Sequence, residues 1–238
     1  MRFTSPLPSA KVVDRESFIL SRCHGARVLH LGCVDSGLLE ERLSCGNLLH
    51  AALAKASRDL WGIDLDAAGL DRLRNEGFVN LYEGSAEAIP PAIPRGYFDV
   101  VLAGELIEHI SNPGLLLDSA AACCNSSGVL LLTTPNGLRF SNIVSCVISA
   151  EVVHPEHTIA FTPATLQRLL TKHHLDLISL LLFHGDGRLQ VRNGRGLLEV
   201  MLRITYNGMV RPALRGVLHC FPYFADGIIE VARPRGSA

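Results

Sequence analysis

Five short apolar runs constrain the fold of this chain more than any other feature: RVLHL at 27–31, LWGID at 60–64, VNLYE at 79–83, FDVVLA at 98–103 and GVLLLT at 128–133. They are close to continuous rather than alternating, so the strands they predict are covered on both faces. Helical patterns fill most of the gaps, at 38–56, 66–76 and 112–124, with others at 14–22 and 163–173. Their starts are marked by Asp14, Asp66, Asn112-Pro113 and Thr162-Pro163, residues suited to capping a first turn. Two further strands are read at 175–184 and 227–233. Strand and helix in alternation predict an α/β doubly wound, mostly parallel sheet with helices on both faces.

No repeat, low-complexity tract or long Pro/Gly/Ser linker divides the 238 residues. The expectation is one domain over 1–238, with an N-terminal helical extension over 1–25 and a helical insertion or lid over 187–225. A hydrophobic share of 48% with 19% charged residues suits a packed core. The net charge of -1 and the scattered Lys and Arg residues supply no basic field, which argues against a nucleic-acid partner. The seven cysteines are odd in number and contain no C-x-x-C pair, so they read as reduced thiols serving as small hydrophobes. The first residues lack the basic start and apolar run of a secretion signal, and no uninterrupted apolar stretch is long enough for an integral membrane segment. A cytoplasmic location is the default expectation.

In such sheets ligands lie beyond the carboxyl ends of the strands, where the strand order reverses. The residues to inspect are Gly32-Cys33-Val34, Asp64-Leu65-Asp66, Gly84-Ser85-Ala86-Glu87, Gly104-Glu105 and Thr134-Pro135-Asn136. Asp64 at a strand tip is placed to accept both vicinal hydroxyls of a ribose, although a cap for the next helix would use the same residue. The turn VLHLGCVDSG keeps only Gly32 and Gly37. Val34 stands where a dinucleotide fingerprint needs its second glycine, and the run lacks the Lys-Ser/Thr ending of a P-loop. Dinucleotide and triphosphate are both disfavoured.

The blocks VLHLGC, WGIDLD, GSAEAI, FDVVLAGELIEHISNPG, GVLLLTTPN and HPEHTIAFTPATLQRLL, taken in order, resemble the class I S-adenosylmethionine-dependent methyltransferases. The resemblance implies a Rossmann-like seven-stranded sheet of order 3-2-1-4-5-7-6, its last strand antiparallel, with S-adenosyl-L-methionine across the first four strands. It assigns His30, Gly32, Cys33, Asp64, Leu65, Ser85, Ala86 and Gly104 to the cofactor. Four places depart from the family: D-x-G-C-G-x-G becomes a run with His30, Val34 and Ser36, and Ser85 stands where Asp is common. A cofactor without phosphates needs fewer close-approach glycines, so one retained at Gly32 suffices.

Methyl transfer from a sulfonium is an in-line displacement, and a hydroxyl acceptor must also lose its proton, a task suited to histidine near neutral pH. The candidates for catalysis are His157, His154 and Glu105. Glu108 and His109, by the family pattern, mostly pack or cap. The H-x-x-H of His154 and His157 shows no nearby third ligand in sequence, so no metal is expected. The turn A-G-E-L after the fourth strand lacks the [ND]-P-P-[YF] of enzymes acting on base amines, and no Pro-Cys marks a ring-carbon nucleophile. The expected reaction is methylation of a small-molecule hydroxyl, on a sugar or secondary metabolite. The segment 196–224 reads as a helix pair over the sheet edge, a substrate lid or a homodimer surface, and Arg188, Arg192 and Arg195 before it could receive an anionic group. The alternative is a non-catalytic relative that binds cofactor or a partner chain; a nicotinamide-dependent reductase is opposed by Val34.

Overall fold

The computed structural model describes residues 7–147, 149, 153–185, 216 and 220–236. In chain order the elements are β1 (Lys11–Val13), α1 (Arg15–Cys23), β2 (Arg27–Leu31), α2 (Leu39–Cys45), α3 (Leu49–Ala56), β3 (Asp59–Asp64), α4 (Ala67–Asn75), β4 (Leu81–Glu83), β5 (Phe98–Gly104), α5 (Pro113–Cys123), β6 (Cys124–Pro135), α6 (Phe140–Val147), α7 (Pro163–Lys172), β7 (Leu175–Phe183) and β8 (Gly227–Pro234).

The strands form one sheet in the order β1-β7-β8-β6-β5-β2-β3-β4. Strands β2 to β8 reproduce the expected seven-strand order, with β8 antiparallel to both neighbours and the other pairings parallel. The chain adds an eighth strand: Lys11–Val13 pairs in parallel with Leu181–Phe183 at the sheet edge. Of the helical extension expected over 1–25, the described residues from 7 onward hold one helix, α1, opened by an Asp14 carboxylate that accepts the Ser17 N–H at 2.8 Å.

Alternate residues of each strand enter different cores, as the two-residue period of a pleated strand requires. Leu29, Leu31, Val101, Leu130, Leu132 and Ile228 pack with Leu116 and Leu117 of α5 and Leu166 of α7. Val28, Val100, Leu102, Leu131 and Ile229 pack on the other face with Ile19 of α1 and Leu53 of α3. Both faces are thereby covered, and every crossover from β2 to β6 leaves its loop at the carboxyl edge. The expected single helix over 38–56 is broken in two at Gly46, which caps α2 at φ 67 in the left-handed region that glycine adopts most easily. Cys23, Cys33, Cys123 and Cys124 are buried free thiols, while Cys45, Cys146 and Cys220 are exposed. Of the expected insertion over 187–225, and of residues 196–224, only residues 216 and 220 onward are described, with one 3-10 turn at Pro222–Phe224; Arg188, Arg192 and Arg195 lie outside the described residues.

Candidate functional site

A cavity of about 430 Å³ opens over the carboxyl ends of β2, β3 and β5, within the ~300–1,000 Å³ of small-molecule sites. Its floor begins at Gly32, whose φ of 70 is left-handed and whose N–H donates to the Ile63 carbonyl at 2.8 Å. A Cβ added there would stand 3.1 Å from Leu106 Cδ1, so the backbone approaches the cavity where a side chain would crowd it. The next strand delivers Asp64. Its Oδ2 accepts the Val34 N–H at 2.9 Å and its Oδ1 accepts the Asp66 N–H at 3.0 Å. The two bonds fix the carboxylate, and each oxygen keeps lone-pair capacity toward the cavity. Leu65 follows with 71% exposure, an apolar side chain held out along the cavity wall.

At the end of β5 the chain turns sharply, Glu105 lying at a left-handed φ of 52. Its N–H donates to the Thr133 carbonyl at 2.9 Å and to Thr133 Oγ1 at 3.1 Å. The same hydroxyl accepts the Arg15 Nε–H at 3.0 Å, drawing the guanidinium of α1 to the cavity. Glu105 Oε1 is buried without a partner, and burial raises its carboxyl while Arg15 opposes the rise. His30 and His50 also line the cavity, their Nδ1 atoms 3.2 Å apart and their rings stacked.

The wall opposite is built from the start of the segment after β5 and the loop before α7. His109 lines the cavity, and its ring centroid lies 4.6 Å from His157 and 6.1 Å from His154. Two bonds pin that loop: Thr158 N–H and Oγ1 both donate to the Glu108 carbonyl, at 2.9 and 3.2 Å. Glu108 is 1% exposed; its Oε2 accepts from Thr134 Oγ1 at 3.0 Å and its Oε1 has no partner. Burial, then the neighbouring Glu105, pushes this carboxyl up to about 8. Burial and the surrounding His109, His154 and Arg139 hold His157 below its ordinary value. Glu108, His109 and His157 each offer one ligand atom, all within 4.8 Å of one another. Only His157 of the H-x-x-H joins this cluster, the other two ligands coming across space from the E-H pair, and these three residues could hold a divalent cation.

Of the residues singled out from sequence, His30, Gly32, Cys33, Asp64, Leu65, Ala86, Gly104 and Glu105 line the cavity. Ser85 does not; its hydroxyl turns back to accept the Glu87 N–H at 3.1 Å. Cys33 is 1% exposed, and burial raises its thiol, which suits packing rather than reaction. His154 and His157 do not line the cavity; their rings lie beside that of His109, which does. Sequence reading omitted Arg15, His50 and the paired Asp35 and Arg42, all of which line the cavity. No spacing pattern announces Arg15 or His50, because they arrive from α1 and α3 by packing.

The donor set suits a phosphate-free nucleoside. One close-approach glycine, one anchored carboxylate and a mixed apolar and polar wall are present.

A family model described as a methyltransferase domain matches residues 13–180. A ubiquinone biosynthesis O-methyltransferase of Azorhizobium caulinodans is 30% identical, the match covering 54% of this chain and 47% of that protein. A probable S-adenosylmethionine-dependent methyltransferase of Mycolicibacterium smegmatis is 26% identical over 76% of this chain and 65% of its own length. The chain therefore spans about half to two thirds of those relatives. Among solved structures, an S-adenosylmethionine-dependent methyltransferase of Archaeoglobus fulgidus superposes with a TM-score of 0.55 at 16% identity, covering 92% of this chain and 90% of its own. One from Mesorhizobium loti gives 0.55 at 14% identity over 92% and 95%. At that identity the superpositions speak for the fold alone. The family match spans most of the chain, and its strand order agrees, so the chain belongs to the methyltransferase domain family, the class I S-adenosylmethionine-dependent methyltransferases.

Proposed function

We propose that the protein transfers the methyl group of S-adenosyl-L-methionine to a hydroxyl of a small molecule in the cytoplasm, a sugar or secondary metabolite being the expected acceptor. The observation that carries this reading is Asp64, a carboxylate anchored by two backbone N–H groups at a strand tip, open to a cavity beside a glycine of positive φ. Asp64 would accept the ribose hydroxyls, Gly32 would let the backbone approach, and Leu65 and Ala86 would flank the adenine. The bound cofactor supplies an electrophilic methyl group on a sulfonium; the remaining work is alignment and proton removal, which fall to the protein.

The residues to remove the proton stand on the opposite wall. His157 is held below its ordinary value by burial and by His109 and His154, which favours the neutral ring that can accept a proton. His109 stands between it and the cavity, and Glu105 faces the same space. Relatives named as O-methyltransferases support oxygen as the acceptor atom. The net charge of -1 and a cavity of small-molecule size support a small molecule over nucleic acid. Calorimetry with S-adenosylmethionine and S-adenosylhomocysteine is the test: micromolar binding of either is expected, and no heat with both rejects the reading in favour of a protein without a cofactor.

Glu108, His109 and His157 favour a second reading of the same wall, in which they hold a divalent cation that takes the acceptor's oxygen and lowers its pKa. A histidine coordinating a cation is not a free base, so the two readings differ in outcome. Saturable zinc or manganese binding by calorimetry, lost in His157→Ala, supports the cation; its absence in the native chain rejects it.

A further inference from the structure

Helix α6 carries its polar residues inward and its apolar residues outward. Asn142 Nδ2 donates to the Gly137 carbonyl at 3.3 Å and its Oδ1 accepts the Arg139 Nε–H at 2.8 Å, while Ser145, 5% exposed, donates through Oγ to the Asn142 carbonyl at 3.0 Å. Asn142 and Ser145 are three apart and share one helix face, so fixing them inward turns Phe140, Ile143 and Val144 to the opposite side. Ile143 and Val144 are 45% and 44% exposed there. A surface helix of a globular protein ordinarily does the reverse.

The apolar face continues off the helix. The Phe140 and Phe224 ring centroids lie 6.0 Å apart, and Phe224 lies 5.7 Å from Phe221, which is 55% exposed. These five side chains form one stripe, and residues 140–150 contain no Asp, Glu, Lys or Arg. Asn136 joins the stripe to the wall of the cavity. Its Nδ2 donates to the Tyr223 and Ala225 carbonyls at 2.8 and 3.0 Å, its Oδ1 accepts the Leu138 N–H at 3.0 Å, and the Gly137 N–H donates to the Phe161 carbonyl at 2.7 Å. The turn of Phe221 and Phe224, the start of α6 and the loop that bears His157 are thereby bonded together.

Whatever covers the stripe is apolar and needs little area. Three exposed side chains present a few hundred Å², the size of a functional patch on a monomer, against about 800 Å² for each partner of a stable pairing. A second copy is disfavoured on that ground. A partner protein also uses a polar rim around its apolar centre, and the uncharged run 140–150 supplies no charge to one. A hydrocarbon surface asks for neither. Among the described residues no helix is long and apolar enough to cross a bilayer, so the contact is made from one side.

We propose that this stripe docks the protein on the surface of a lipid bilayer, with Ile143, Val144 and Phe221 entering the boundary between headgroups and acyl chains. Through Asn136, docking holds the His157 loop next to the membrane. Lipid docking uses no residue assigned to the cofactor, so either reading survives the failure of the other.

The test is co-sedimentation of the full chain with vesicles of phosphatidylcholine alone. Binding is expected, and it is expected to persist at high salt because an uncharged stripe offers nothing for salt to screen. The double variant Ile143→Ser, Val144→Ser is expected to weaken vesicle binding about 10- to 100-fold. Val79→Ser, at a side chain 70% exposed beside β4 at the far end of the sheet, is expected to leave it unchanged. Without vesicles the double variant is expected to keep the native melting temperature, as substitutions at exposed positions do. A native chain that stays in the supernatant, binding that high salt abolishes, or equal binding by the native chain and the double variant overturns the proposal. So does a native dimer in sedimentation velocity that the double variant dissolves, which makes the stripe a subunit interface. A lower melting temperature of the double variant without vesicles overturns it as well, since the stripe is then covered by the chain itself.

Discussion

Single side chains in this molecule are read best at strand tips. Asp64 was visible in sequence because it ends an apolar run at the edge where ligands sit, and its geometry explains a double burden: it holds the Val34 and Asp66 N–H groups as well as facing the cavity. Asp64→Ala is therefore expected to weaken S-adenosylhomocysteine binding about 10- to 100-fold and to lower the melting temperature, checked by calorimetry and thermal denaturation. Arg15, His50 and the nearness of Glu108 to His157 were not visible, since each depends on packing between segments far apart in the chain. Glu230 is another residue whose state only the fold reveals. It is fully buried in β8, neither carboxylate oxygen has a partner, and burial pushes it up to about 8. The unfolded chain releases that proton near pH 4.3 while the folded state keeps it, so its contribution to stability is full below about pH 4 and is lost as pH rises through about 8. Glu230→Gln is expected to flatten the fall in melting temperature between pH 5 and pH 8; an unchanged slope would contradict the burial argument.

Elements were legible in proportion to their apolar length. β2, β5 and β6 were found because long apolar runs admit few alternatives, whereas β1 is a three-residue edge strand with largely exposed side chains and no periodic signal. α6 was missed inside a connection, and the expected helix over 38–56 ran through Gly46 because an isolated glycine does not announce a left-handed cap. The α7 start was legible from Thr162-Pro163, and the structure gives it a reciprocal cap: Thr162 Oγ1 accepts the Thr165 N–H at 3.2 Å, and Thr165 Oγ1 accepts the Thr162 N–H at 2.8 Å. Thr162→Ala is expected to cost about 1 kcal/mol in chemical denaturation. Gly227, where β8 begins, has its open side filled by the Phe183 ring of β7. Gly227→Ala is expected to cost about 1–3 kcal/mol by overpacking, measured the same way, and Phe183→Leu combined with it is expected to recover part of that loss.

For the molecule as a whole, the apolar runs predicted a covered parallel sheet, but its strand order came from the family resemblance, because hydrophobicity carries no information on which strand neighbours which. Ligand linkage offers a check at this scale. A cavity whose walls come from α1, β2, β3, β5 and the loop before α7 ties many elements to one occupant, so S-adenosylhomocysteine at about 100 times its Kd is expected to add about 2.7 kcal/mol and raise the melting temperature cooperatively. A rise in one spectroscopic probe without the other would show that the walls respond separately. The sheet order has one more consequence. Among the described residues β7 and β1 join the rest of the sheet only through β8, so a ribosome must deliver residues 227–234 before two strands translated earlier find their mooring. Until then the rim of β6 that β8 will cover is an open berth, an unpaired edge to be kept from other chains.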